Sequence, residues 1–90
     1  MEKYEQHGLT RTEDGILGSF GMAEIVEEET LDQQSFSYDQ REAAKSLIRK
    51  GLLTRQLQDD DSIVYKLTPK GAKLWHVRAE EETLEPPKTH

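Results

Sequence analysis

Residues 37–77 read SYDQREAAKSLIRKGLLTRQLQDDDSIVYKLTPKGAKLWHV, and three local signals follow one another along them. Ser37 with Gln40 three residues on forms a capping box, Asp39 sits in the first turn, and Gly51 closes the segment after Arg49 and Lys50. A helix over 38–50 is predicted. Its Ala44, Leu47 and Ile48 fall on one side, while Arg41, Lys45 and Arg49 recur at four-residue spacing and share another. After Gly51, LLTRQL alternates apolar and polar residues, QDDDS is a run of turn formers, and IVYKLT alternates again, which is the pattern of a β-hairpin with a polar tip. Thr68 then caps a further helix whose first position is Pro69, where a missing N–H has no bond to lose. Ala72, Leu74, Trp75 and Val77 supply its apolar positions.

Upstream, a first helix starts at Thr10 or Thr12, with Glu13 and Asp14 in the turn that the helix dipole favours for acids. Ile16, Leu17, Phe20 and Met22 give it an apolar stripe, and Gly21 ends it. MAEIVEEETL (22–31) predicts a short acidic second helix, with Met22 or Ala23, Ile25, Val26 and Leu31 facing inward and Glu24, Glu27, Glu28 and Glu29 facing water. DQQSFS lacks either period and reads as the turn before the third helix, with Phe36 needing apolar cover. Residues 80–90, acidic and containing Pro86-Pro87, are predicted to form a flexible tail. The division expected is an N-terminal extension over 1–8, one α+β domain over 9–79 and the tail over 80–90. The order within the domain is three helices, a hairpin and a C-terminal helix.

A chain of 90 residues has room for one modest core. With no cysteine, neither disulfides nor thiolate metal sites are available, which favours a reducing compartment. No stretch has signal-peptide or membrane-span character, so a cytoplasmic location is predicted. The net charge of -6 would disfavour nucleic acid if it were uniform. It is not: residues 1–32 carry nine acids against two bases, whereas residues 38–55 carry five bases against two acids.

The phrase LIRKGLLTR, followed by a polar loop and YKLTPKG, resembles the winged helix-turn-helix transcriptional regulators of the MarR and PadR type, through Leu47, Gly51, Leu52, Leu53, Arg55, Leu67, Thr68 and Gly71. Leu9-Thr10 with Glu13, Ile16 and Leu17 looks like the start of such a domain's first helix. The resemblance implies a small winged helix in which helix 38–50 enters the major groove of double-stranded DNA. Ser37, Tyr38, Gln40, Arg41 and Lys45 would then face the groove, Gln40 or Arg41 toward base edges, while Lys45, Arg49 and Arg55 suit phosphate. It also implies a homodimer on a two-fold site, with a seam built from the first helix or that of Trp75. The family's wing tip is usually basic; here it is Asp59, Asp60 and Asp61, which implies a wing that stays off the DNA.

The same acidic surfaces support a second reading, a protein-interaction module that binds a partner through its acidic side and not DNA. Asp59–Asp61 lack the spacing of a calcium loop, and His7, His76 and His90 lack zinc-site spacing, so no metal and no cofactor is predicted. There is no nucleophile elbow and no phosphate-cradling glycine loop, and an enzyme is not predicted.

Overall fold

In the computed structural model, which describes residues 3–84, Thr10 starts the first long helix with a reciprocal cap. The Glu13 amide donates to Thr10 Oγ1 at 3.2 Å, and the Thr10 amide donates to Glu13 Oε1 at 2.8 Å. Helix α2 (Arg11–Gly18) follows, preceded by a single turn, α1 (Lys3–Gln6), in the predicted extension. Ile16 and Leu17 point from α2 into the core against Ala44 and Leu47 of α3 (Tyr38–Arg49). The predicted cap of α3 is present in full: the Gln40 amide donates to Ser37 Oγ, and the Ser37 amide donates to Gln40 Oε1.

Gly51, at φ +79°, then turns the chain into β2 (Leu53–Leu57), which pairs antiparallel with β3 (Ile63–Leu67). A third strand, β1 (Thr30–Asp32), lies on the other side of β3, so the sheet order is β1-β3-β2. Leu53, Tyr65 and Leu67 face the helices, and Phe36 finds its apolar cover on the Tyr65 ring at 5.1 Å between centroids. Helix α4 (Pro69–Leu84) is capped by Thr68, whose hydroxyl accepts from the Gly71 amide and donates to the Gly51 carbonyl. Its first turn lies so close to the sheet that a Cβ on Gly71 would overlap the Leu52 carbonyl oxygen. The result is a small α+β fold with a three-stranded antiparallel sheet.

The predicted second helix is not formed. Residues 22–25 are irregular, Val26–Glu28 make one 3-10 turn, and Thr30–Asp32 extend to pair with Val64–Lys66. The reason is Glu29, whose Oε1 accepts from three successive amides, Gly21 at 2.7 Å, Met22 at 2.8 Å and Ala23 at 3.0 Å. A carboxylate eight residues ahead holds these amides in a loop that Gly21 opens at φ +116°. Of the apolar residues expected inside, Val26 is buried and Leu31 half-buried, but Met22 is 91% and Ile25 52% exposed. The connector before α3 holds a second 3-10 turn, Gln33–Ser35, with Asp32 as its cap.

The C-terminal boundary also differs. Residues 80–84, expected in the tail, continue α4, because partners far away in sequence anchor that helix. Arg78 Nε donates to Asp14 Oδ1 at 2.6 Å, and His7 Nε2 meets Glu81 Oε1 at 2.7 Å. Trp75 is used inward: it packs against the core and under Gly21, and its indole N–H donates to the Phe20 carbonyl at 3.2 Å. Residues 85–90, including Pro86-Pro87, lie outside the described residues.

One ion pair joins α2 to the end of α3. Lys50 Nζ donates to Glu13 Oε1 at 2.7 Å and to the Gly8 carbonyl at 2.8 Å. Burial works against the charge on Glu13, but Lys50, the nearby Ser46 hydroxyl and the Thr10 amide outweigh it, holding the carboxyl below its ordinary value.

Candidate nucleic-acid interface

Helix α3 buries Ala44 and Leu47, and Arg41, Lys45 and Arg49 lie on another side of it, all exposed. Spacing of four residues places them in one row along the helix. Arg55 joins them from another element. It is paired across the hairpin with Tyr65, and therefore lies on the helix-facing side of the sheet.

The Tyr65 ring is buried in the core, and that burial raises the phenol above its ordinary value of 10.0. The charges of Arg55, Arg41 and Lys45 and a hydrogen bond with Gln33 act in the opposite sense. Cations from α3 and β2 thus both act on one hydroxyl. Arg49 lies one turn farther along α3, and Tyr38, 70% exposed, stands at its first turn.

Not every group on this face is free. Lys45 Nζ is bonded to Glu42 Oε2 at 3.0 Å, an exposed i,i+3 pair that a competing phosphate can displace. Ser37 and Gln40 are engaged with each other in the cap. One lone pair of the Gln40 carbonyl oxygen is therefore taken, leaving the other and the side-chain NH2 for a ligand. A bidentate contact to adenine uses both ends of the amide, so it would share the oxygen with the cap.

The hairpin tip is acidic and internally ordered. Asp60 Oδ1 accepts from the Ser62 hydroxyl at 2.6 Å and the Ser62 amide at 3.1 Å, and these bonds hold its carboxyl below the ordinary range. Asp61 adopts φ +67°, a conformation that aspartate tolerates better than most residues, and its amide donates to the Gln58 carbonyl. Asp59, Asp60 and Asp61 are all exposed. Among the described residues, no His, Asp and Glu side chains assemble into a group able to hold a metal ion.

No protein-family model, curated protein or solved structure matches this chain. Reading the sequence alone missed Tyr65, on whose hydroxyl the charges of Arg41, Lys45 and Arg55 act, and its hydrogen-bond partner Gln33. A signal was available for Tyr65: a hairpin turning about Asp60 places Arg55 opposite it. Among the described residues, no helix is long and apolar enough to cross a membrane.

Proposed function

We propose that this chain is a DNA-binding protein of the winged helix-turn-helix type, similar to the MarR and PadR regulators of transcription, and that α3 enters the major groove of double-stranded DNA. The observation that supports this reading is the exposed row of Arg41, Lys45 and Arg49 on a capped helix that a hairpin follows, with Arg55 on the helix-facing side of that hairpin. A helix of 12 residues with one buried and one basic side suits the groove, and three clustered cations suit adjacent phosphates. In this arrangement Arg41, Lys45 and Arg55 bind backbone, Arg49 extends the phosphate track, and Tyr38 and the Gln40 NH2 meet base edges. The acidic tip is repelled by phosphate, so the hairpin braces α3 and does not follow the groove.

Four phosphate contacts, Arg49 included, give log K a slope of about -3.6 against log salt, which is an affinity loss of about 150-fold between 50 and 200 mM salt. Titration of a labelled duplex across that range, with wild type and Arg41→Ala/Lys45→Ala, measures it. The double variant should bind much more weakly and lose about two units of slope. Binding that ignores both the salt and the substitutions sinks the proposal.

A second reading rests on the exposed acids Glu24, Glu27, Glu28 and Asp59–Asp61, which favour a basic protein partner. Absence of any duplex binding at low salt and micromolar protein would favour it.

A further inference from the structure

Away from the basic face, two surfaces complement each other. The first is a knob between α2 and β1. Its backbone is fixed by the three amides that Glu29 collects and by Gly21, whose α-carbon sits so near Trp75 that an added Cβ would lie 2.7 Å from the ring. On this fixed backbone Met22 and Ile25 stand exposed, flanked by the exposed Glu24, Glu27 and Glu28. Scattered surface apolar residues are ordinary. Two held together on a loop that has already lost its freedom in folding are suited to binding, because little ordering is left to do on contact.

The second surface is a groove of about 640 Å³ between the end of α3 and α4. Leu52, Leu74 and Val77 give it an apolar lining, and His7, Lys50, Lys70 and Lys73 a polar one. The charge of Lys50 is taken up by Glu13, so Lys70 and Lys73 carry the positive field. At about 100° per residue, the Lys70–Lys73–Leu74–Val77 stripe lies about 150° around α4 from Trp75, which supports the knob. The loop that carries the knob is therefore held on a different side of α4 from the groove.

We propose that the two surfaces join copies of this chain head to tail. Met22 and Ile25 of one copy seat on Leu52, Leu74 and Val77 of the next, and Glu24, Glu27 and Glu28 meet Lys70 and Lys73. Apolar surface matches apolar surface, and acidic residues match basic ones. The contact is heterologous, so it propagates into short chains unless the rotation closes a ring. It differs from the two-fold pairing implied by the family resemblance. It also leaves Arg41, Lys45 and Arg55 uncovered, so it stands or falls separately from DNA binding.

Sedimentation velocity of the full chain between about 10 μM and 1 mM tests it. Association should grow with concentration and weaken at least tenfold when salt rises from about 50 to 500 mM. Met22→Asp should remove the knob and Lys73→Glu the groove. Both positions are exposed, and circular dichroism checks that each variant keeps its fold. Each variant alone should be monomeric, yet an equimolar mixture should give a 1:1 dimer that grows no further, because one intact knob remains for one intact groove. A wild type that is monomeric throughout overturns the proposal. So does a dimer that survives both substitutions, which would place the contact on a two-fold seam elsewhere.

Discussion

Glu13 and Glu29 are the two buried carboxylates among the described residues, and each organises its surroundings by different means. Around Glu13 one oxygen meets an amide on its own helix cap and the ammonium of Lys50, 37 residues away. Around Glu29 one oxygen collects three amides within eight residues, and among the described residues no lysine or arginine is paired with it. The first joins two helices that form the core; the second shapes one loop. Removal of Glu13 should therefore be felt by the whole fold, whereas removal of Glu29 should open a local unit.

The largest expected effect is that of Glu13→Ala, which takes the carboxylate from Lys50 and removes half of the α2 capping box. About 3 kcal/mol should be lost, about 1 from the cap and about 2 from the charge-assisted bond, while Lys50, itself 37% exposed, keeps the Gly8 carbonyl and water. Urea unfolding would read this as a lower midpoint at unchanged slope. A loss under about 0.5 kcal/mol would mean that water replaces the carboxylate at no cost, and that the contrast with Glu29 is unfounded.

Next comes Gly21→Ala, which combines a strained positive φ with the approach of Trp75. A cost of about 2 kcal/mol is expected. Because Trp75 is the chain's single tryptophan, its emission should shift at the same time. Unchanged fluorescence would show that the ring does not lie under this loop.

Glu29→Ala should cost about 1 kcal/mol, since the freed amides of exposed residues 21–23 can turn to water. Hydrogen exchange separates this effect from a global one: protection should fall at Gly21, Met22 and Ala23 while α3 amides keep theirs relative to the new global stability. Uniform loss across the chain would erase the distinction drawn between the two glutamates.

The smallest effect concerns acid. The Glu13 carboxyl titrates below its ordinary value of 4.5 in the folded protein, so its contribution is complete above that value and fades as pH falls through the folded-state value. The stability gap between wild type and Glu13→Gln should therefore narrow below pH 4.5. A gap that stays constant down to strong acid would contradict the pairing.

The same contrast explains what the sequence discloses. Helix α3 was legible because its determinants are local: Ser37 and Gln40 cap it, Gly51 ends it, and Ala44 and Leu47 mark its buried side. The hairpin and the Thr68-Pro69 start of α4 are legible for the same reason. Residues 22–31 carry a convincing helical spacing, yet they form a loop and a strand, because the competing bonds come from Glu29 and from the free edge of β3. The continuation of α4 through residues 80–84 depends on Asp14 and His7, far away in the chain. At the candidate site, spacing identifies the row Arg41, Lys45 and Arg49. The arrival of Arg55 and the buried Tyr65 beneath it follow only once the strands are paired.

Gly71 has a mechanical consequence. Because the first turn of α4 is pressed against the Leu52 carbonyl, the angle at which that helix leaves the sheet is set at its root, with no free joint. Sixteen residues at about 1.5 Å each make a lever of about 24 Å. Because Trp75, Arg78 and Glu81 tie the rest of α4 to Phe20, Asp14 and His7, a load on that helix is shared between its root at the hairpin and the elements around α2. Substitution of Gly71 would move the fulcrum itself.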